Sequence, residues 1–282
     1  MTWFIYALIS AIIGVAYSVV ARKLSVESEN PRALSIVFNG CSALIALSLF
    51  LFENWWFNPV PLHVWGLVIL SVVLYAVFEG TQFYGRKYVD VSTSSIIFRL
   101  NTVIAVFTSF VFLRESITVN KIIATLLILF GTYLVTVKNL SLKFNKGFIY
   151  ILVATFAIGL VRPVDKTAAA FFSPALYTVM VYIGPAFVML FFPKIIKLQE
   201  LWKEVRLGRY LIPLLGIINV FEYYFMIKAY SLADASLVVP IVSLSTVFTV
   251  VVGIIFLGER DNLLKKLAAA VLAFIGLLLI KM

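Results

Sequence analysis

The second half of the sequence repeats the first half at a constant offset of 144 positions (148 − 4 = 144). Three pairs of segments show this offset most clearly: 4–8 (FIYAL) with 148–152 (FIYIL), 90–92 (DVS) with 234–236 (DAS), and 112–115 (FLRE) with 256–259 (FLGE). The agreement extends from one end of each half to the other. We therefore interpret it as the duplication of one structural unit, which both halves of the fold must share.

Each half consists of apolar segments long enough to cross a bilayer. Hydrophobic residues make up 63% of the chain and charged residues 13%, whereas a soluble domain contains about 25% charged residues. Since a spanning helix needs about 20 apolar residues, the sequence predicts ten spans, at 2–21, 33–52, 65–84, 92–112, 119–137, 147–165, 174–192, 210–230, 235–257 and 263–281. The predicted fold class is an all-α integral membrane protein with ten transmembrane helices. Because five spans is an odd number, the two five-helix repeats are expected to be inverted relative to each other.

The polar segment 138–146 separates the two halves of the chain. It predicts a first repeat at 1–138 and a second repeat at 139–282. A longer connection, 194–209, has apolar residues at helical spacing among its charges. This connection is either an amphipathic helix on the membrane surface, with Trp202 at headgroup depth, or a solvated loop.

The net charge of +10 comes mainly from Lys and Arg in the connections between apolar segments. Such residues set the orientation of the spans and contact anionic headgroups, so we expect the lipid bilayer as a partner and no nucleic acid. Sixteen basic residues lie on the side opposite the termini and six on the side of the termini, which predicts termini outside the cytoplasm. The sequence contains none of the common catalytic or phosphate-binding motifs, so we expect neither an enzyme nor a cofactor or metal.

The segment 229–282 resembles the EamA repeat of the drug/metabolite transporter superfamily. Small residues near its start, an apolar span ending in Leu257-Gly258-Glu259, and a glycine in the last span carry the resemblance. Residues 83–138 match the same pattern less closely, with Leu113-Arg114-Glu115 at the position of Leu-Gly-Glu. The resemblance implies a ten-span transporter with both termini in the cytoplasm. This orientation is opposite to the one from the charge count, so the orientation stays open.

Four ionisable residues fall inside the predicted spans: Glu79, Arg99, Arg162 and Glu222. An ionised side chain in hydrocarbon costs about 2.5–3.5 kcal/mol on insertion scales, so each needs a partner or a function. Glu79 and Glu222 end the same tripeptide, Val-Phe-Glu, in the third span of each half. A carboxylate that faces a cavity can take up and release a proton as access alternates. We therefore interpret this pair as lining a site or coupling transport to protons, with permanent ion pairs as the alternative.

The two arginines allow more than one role. Arg99 lies at nearly the same depth as Glu79, which allows either an ion pair between them or contact of Arg99 with an anionic substrate group. The equivalent of Arg99 in the second half is Ser243 (99 + 144 = 243), which offers no charge. We therefore hypothesise that Glu222 is the proton-coupling carboxylate and that Glu79 forms a fixed ion pair. Arg162, near the end of its span, is expected to extend to the membrane interface. The alternative, in which Arg162 reaches inward from the same membrane side as Glu222, would put a cation near that carboxylate.

Other polar residues have simpler expected roles. Asp165 and Lys166 lie at the predicted membrane boundary and are expected to be solvated. Glu115 and Glu259 end the two fourth spans, and each is expected to cap the helix that follows it. Further polar and aromatic residues within spans could line a cavity or form interhelical hydrogen bonds; these are Asn39, Gln82, Asn101, Asn219, Tyr75, Tyr182, Tyr223 and Tyr224. The candidate substrate- or proton-binding residues are Glu79, Arg99, Glu222, Asn39, Asn101, Asn219, Tyr223 and Gln82.

We therefore predict a secondary transporter of small metabolites in the plasma membrane that works by alternating access. Duplicated membrane units with interior charges are the common plan of such proteins. The alternatives are a channel, which would need a continuous polar stripe, and a non-catalytic membrane scaffold. The sequence leaves open the substrate, the direction of transport, the use of protons for coupling, and the oligomeric state.

Overall fold

A computed structural model describes residues 2–56, 58–89, 91–116, 118–136, 146–245, 247–248, 268, 271–272, 274–276 and 278–279. Within these residues the helices are α1 (Thr2–Glu27), α2 (Pro31–Ala46), α3 (Leu62–Tyr88), α4 (Val91–Leu113), α5 (Val119–Thr136), α6 (Lys146–Ala169), α7 (Pro174–Phe191), α8 (Leu198–Gly208), α9 (Leu211–Tyr230) and α10 (Ala235–Val242). A 3₁₀ turn, Leu47–Leu51, continues α2.

Six of the described helices are long and apolar enough to cross a membrane: α1, α2 with its 3₁₀ turn, α3, α6, α7 and α9. Shorter apolar stretches, Leu100–Leu113 and Val119–Gly131, lie in α4 and α5. The first eight predicted spans therefore coincide with helices. The predicted ninth span begins with α10, and its part from 249 to 257 lies outside the described residues. The predicted tenth span is described only at scattered helical positions.

The second helix of each half begins with the same local signal. Pro31 and Pro174 stand at the first helical positions of α2 and α7, where proline loses no hydrogen bond and its fixed φ suits a helix. The Asn30 side chain accepts two N–H groups of the first turn of α2 at 3.2 and 3.3 Å. The Ser173 hydroxyl accepts one N–H group of α7 at 3.2 Å. These caps satisfy N–H groups that have no partner within the helix.

The two halves of the chain pack directly on each other. α3 lies along α6, α1 lies along α9, α2 lies against α7, and α4 lies against α6. The approach of α3 to α6 depends on a glycine, because a Cβ on Gly85 would lie 2.3 Å from Ile151 Cδ1. The main buried core contains residues of both halves, including Tyr75 and Tyr177. The centre of the molecule is therefore an interface between the repeats.

The connection 194–209 contains a helix, α8, and is more than a solvated loop. Trp202 on this helix is 57% exposed, whereas Glu204 is 1% exposed. Glu204 Oε1 accepts the N–H groups of Glu29 at 3.0 Å and Asn30 at 2.7 Å. The carboxylate therefore holds α8 against the start of α2 and leaves Trp202 on the outside, as in an amphipathic surface helix.

Glu115 caps a helix, but not the one that follows it in the chain. Its Oε1 accepts the N–H of Ala235 at 2.8 Å, and its Oε2 accepts the N–H of Ser236 at 2.9 Å. Both residues open α10, which belongs to the second half. The expectation that Glu115 caps the following helix is wrong, because the end of α4 meets the other half. Glu259 lies outside the described residues.

The substitution Glu115→Ala is expected to lower the free energy of unfolding by about 1–2 kcal/mol, because two N–H groups at the start of α10 lose their acceptor. The measurement is the thermal unfolding midpoint of the purified protein in detergent, which should fall by roughly 2–4 °C per kcal/mol for a chain of this size. Glu27→Ala is the control, since Glu27 is exposed at the end of α1. Equal midpoints for the two variants would contradict the cap between the halves.

Candidate functional site

A cavity lies among α1, α2, α3, α4, α6, α7, α9 and α10. It has two adjoining parts, of about 130 Å³ and about 90 Å³. Five residues line both parts: Tyr17, Phe78, Ile158, Arg162 and Glu222. Two of these come from the first half and three from the second half of the chain. Neither half therefore forms the cavity alone.

Polar side chains form a buried network along one wall of this cavity. Glu79 is 3% exposed, and its Oε2 accepts a hydrogen bond from Gln82 Nε2 at 2.6 Å. The Gln82 amide also donates to the hydroxyl of Tyr17 at 3.0 Å. Arg86 Nε donates to Gln82 Oε1 at 3.4 Å. The positions 79, 82 and 86 lie on one face of α3, because residues three and four apart are neighbours on a helix.

Arg86 is the cation that the structure places beside this network. Its guanidinium carbon lies 4.9 Å from the centre of the Phe98 ring and 5.7 Å from that of the Tyr17 ring, and it lines the larger part of the cavity. The predicted third span ends at residue 84, which leaves Arg86 in the connection after it. This boundary is wrong, because α3 continues to Tyr88 and directs Arg86 inward. The predicted contact of Glu79 with Arg99 stays untested, because the side chain of Arg99 lies outside the described residues.

Glu222 lines both parts of the cavity from α9. Its carboxylate packs against α1 at a glycine, because a Cβ on Gly14 would lie 2.7 Å from Glu222 Oε1. The same Cβ would lie 3.4 Å from Ser245 Cβ. The missing side chain at Gly14 therefore makes the space that the Glu222 carboxylate occupies.

Three predicted asparagines also line the cavity. Asn39 and Asn219 line the smaller part, and Asn101 lines the larger part. The amide of Asn39 donates to the Ser35 carbonyl at 2.9 Å, and the amide of Asn101 donates to the Phe98 carbonyl. Both amides thus bond to their own helix and present their remaining polar atoms near the cavity.

Aromatic rings form much of the smaller part of the cavity. The ring of Tyr223 packs edge to face on Tyr75, with centroids 5.8 Å apart, and on Tyr182, with centroids 5.9 Å apart. The Tyr182 hydroxyl donates to the Asn219 carbonyl at 3.1 Å. Tyr224 differs from its neighbour Tyr223, since its hydroxyl donates to Glu53 Oε2 at 2.6 Å. Of the two roles expected for Tyr224, the structure shows the hydrogen bond to another segment and not a place in the lining, because consecutive helix positions face different directions.

Asp165 is fully buried, contrary to the expectation that it is solvated. Its Oδ2 accepts the hydroxyl of Tyr75 at 2.6 Å, and its Oδ1 accepts the hydroxyl of Tyr177 at 2.9 Å. The Tyr177 hydroxyl also lies 3.1 Å from Ser71 Oγ. The sequence expectation was wrong because α6 continues beyond Pro163 and keeps Asp165 among α3 and α7.

Lys166 and Arg162 are also directed into the protein. Lys166 Nζ donates to the carbonyls of Tyr230 and Ala233, where the end of α9 leaves carbonyl groups free and attracts a cation. Arg162 lines the cavity, and its Nη1 contacts Met226 Sδ. The expectation that Arg162 extends to the interface is therefore wrong. Lys166 does lie at the end of α9, near the predicted membrane boundary, but it is bonded to carbonyl groups and only partly exposed instead of solvated. The sequence contained a signal for the inward position of Arg162. Arg162 and Asp165 are three positions apart, which puts a cation and an acid on one face of α6.

Long apolar helices around a cavity with charged residues in its lining are typical of a multi-pass integral membrane protein that transports solutes. The sequence model of the EamA-like transporter family matches residues 1–137 and 145–282 of this chain. The chain therefore belongs to the EamA-like transporter family, and with it to the drug/metabolite transporter superfamily.

One relative agrees with this assignment, and one solved structure shares the fold. A protein of Archaeoglobus fulgidus described as an uncharacterized transporter is 25% identical over 287 residues, which cover 99% of this chain and 98% of the relative. A solved crystal structure matches with a TM-score of 0.65 and 14% identity, covering 97% of this chain and 98% of that chain. The match to the crystal structure shows the fold alone. The roles of the cavity residues stay predictions.

The substitutions Tyr75→Phe and Tyr177→Phe test the network around Asp165. Each is expected to lower the free energy of unfolding by about 1–3 kcal/mol, because a buried carboxylate loses a hydrogen bond that its charge strengthens. Thermal unfolding in detergent measures the effect, and Tyr210→Phe is the control because Tyr210 is 69% exposed. In an Asp165→Asn background both effects should shrink. Full additivity would show that the hydroxyls do not act through Asp165.

Proposed function

We propose that the protein is a secondary transporter of small metabolites in the plasma membrane, and that it binds its substrate in the central cavity and works by alternating access. The observation that carries the proposal is a cavity between the two halves with the ionisable residues Glu79 and Glu222 in its lining. Its two parts, of about 130 and 90 Å³, are smaller than the roughly 300–1,000 Å³ typical for drug-sized ligands. The size supports a small substrate.

The proposal includes two inverted repeats of five spans each. Two equivalent contacts support it: Arg22 Nη1 donates to the Val89 carbonyl at 3.1 Å, and Lys166 Nζ donates to the Ala233 carbonyl. The two donors are 144 positions apart (22 + 144 = 166), and so are the two acceptors (89 + 144 = 233). The helix packing supports it too. α3 and α9 are equivalent helices of the two halves, and so are α6 and α1. The contact of α3 with α6 therefore has an equivalent in the contact of α9 with α1, and both contacts are present.

Alternating access requires contacts between the halves that break on one side of the membrane while others form on the opposite side. Candidates are the cap of α10 by Glu115 and the ion pair of Lys121 with Asp234 at 2.9 Å. Both join the end of the first half to the start of α10. In this proposal they close the cavity on the side where α4 and α9 end, and they separate when that side opens.

Glu222 is the proposed proton-coupling residue, and Glu79 is a fixed part of the network on α3. Gln82 already holds the Glu79 carboxylate at 2.6 Å, whereas Glu222 faces both parts of the cavity. A carboxylate in such a position can exchange its proton with whichever side is open. The proposed coupling ion is therefore the proton.

The variants Glu222→Gln and Glu79→Gln separate these roles in proteoliposomes with an imposed proton gradient. A screen of labelled metabolites on the wild-type protein first identifies a transported compound. Glu222→Gln is expected to abolish gradient-driven uptake of that compound while exchange of labelled for unlabelled compound persists, because exchange needs no proton transfer. Glu79→Gln should mainly lower the thermal unfolding midpoint. Unchanged dependence on pH in Glu222→Gln would rule out the coupling role.

The screen also separates a transporter from a channel. A transporter shows saturation and accelerated exchange when the same compound is present on both sides, whereas a channel passes it in proportion to its concentration. Flux without either property in the wild-type protein would overturn the proposed mechanism of alternating access.

The substitution Gly14→Ala tests the position of Glu222 without changing its chemistry. The new Cβ would lie 2.7 Å from Glu222 Oε1, so the flexible carboxylate has to move. The fold should stay intact, because alanine favours a helix by about 1 kcal/mol over glycine. Gradient-driven uptake should fall at least several-fold with no fall in the unfolding midpoint. Gly40→Ala is the matched control, since a Cβ there meets no atom within 4 Å. Equal uptake by the two variants would show that the position of the carboxylate does not matter.

A further inference from the structure

Arg162 is placed where a ligand in the cavity would meet it. It lies on α6 of the second half and lines both parts of the cavity, as Glu222 does. Its electrostatic neighbours are Asp165 and the tyrosines Tyr75, Tyr223 and Tyr230. A guanidinium in this position stays charged under all physiological conditions, so its charge needs compensation from the protein or from a ligand.

The described part of the protein supplies no carboxylate within ion-pair distance of Arg162. The ion pairs found there, with N–O distances up to 4.0 Å, are Lys121–Asp234, Lys203–Glu29 and Lys228–Glu53. Arg162 Nη1 contacts Met226 Sδ, which is a weak acceptor, and the guanidinium also meets the Tyr230 hydroxyl. Neither group is a carboxylate.

Asp165 is the natural partner of Arg162, because it lies one turn further along α6. Its two oxygens, however, each accept a tyrosine hydroxyl, from Tyr75 at 2.6 Å and from Tyr177 at 2.9 Å. These bonds hold the carboxylate toward α3 and α7. The Asp165 carboxylate therefore stays near Arg162 and lowers the free-energy cost of burying the guanidinium charge. The guanidinium still has N–H groups available for another acceptor.

We propose that Arg162 binds the anionic group of the transported substrate, and that this group is a carboxylate or a phosphate. The inference rests on the proposed transport function and adds the chemical class of the substrate. The planar guanidinium offers parallel N–H donors that match two oxygens of either group. Such an anion gives the Arg162 guanidinium the negatively charged acceptor that Met226 cannot be. The small cavity limits the substrate to a compact molecule.

The test measures ligand-induced stabilisation of the full-length protein in detergent, because a ligand that binds the folded state raises the unfolding midpoint. The probes are pairs that differ in charge and little in size: lactate with lactamide, succinate with succinamide, and glycerol phosphate with glycerol, with putrescine as a cation. At least one acid should raise the midpoint, and its neutral partner and putrescine should not. The carboxylates and the phosphate distinguish the two kinds of anionic group.

The variant Arg162→Gln should weaken the response to that acid roughly tenfold or more, as expected for loss of a hydrogen bond between charged groups. Arg162→Lys keeps the charge but loses the planar fork, so it should retain part of the response and also guards against misfolding of the first variant. Arg206→Gln, on the exposed surface of α8, is the control and should respond like the wild-type protein.

Three results would overturn the proposal. They are equal stabilisation by acids and their neutral partners, an unchanged response in Arg162→Gln, and the absence of any response to the acids. The transport screen is independent of these results. If the wild-type protein carries only neutral or cationic compounds, the transport function stands and the role of Arg162 fails. If acids bind but no compound is transported, the role of Arg162 stands and the transport function fails.

Discussion

Hydrocarbon cannot solvate a charge, and this constraint determines where the ionisable residues of the spans lie. A charged group in a spanning helix must face the protein interior, a polar cavity or the interface. In this protein the two halves share one interior, because α3 lies on α6 and α1 lies on α9. Charged residues of both repeats, Glu79 and Arg86 of the first and Arg162 and Glu222 of the second, therefore line one cavity between them. The cavity is a consequence of duplication combined with the need to keep charges away from lipid.

Several features could be predicted from the sequence because they depend on composition and local pattern. Apolar length predicts helices that can cross a membrane, and six of them are described in full. The positions of Glu79 and Glu222 at the cavity follow from the cost of exposing a carboxylate to lipid. The helix α8 is one of the two alternatives that the spacing of apolar residues among charges left open for its segment. In each case one physical rule acts on a single segment, so no knowledge of its neighbours is needed.

The remaining features depend on contacts between segments far apart in the chain. Hydropathy placed Arg86 and Asp165 at span ends, but their helices continue far enough to keep both residues inside. Only the packing shows that Asp165 meets hydroxyls from α3 and α7, or that Glu115 reaches the start of α10 in the other half. Helical periodicity indicates which residues share a face and gives no information about what that face touches. The sequence therefore favours a transporter, whereas the network around the cavity requires the fold.

The two proposed binding roles are energetically connected through the cavity. An anion held by Arg162 brings a negative charge into a space that Glu222 also lines. A proton on Glu222 removes the repulsion between the two negative charges, so each binding event favours the other, and the coupling is reciprocal by linkage. The carriage of an anion would then bring a proton with it, and the carrier would return when both sites are empty. Coupling of this kind does not require Arg162 and Glu222 to touch or to move relative to each other. Both residues interact with the charge of the bound anion, and the low polarity of the surroundings strengthens these interactions.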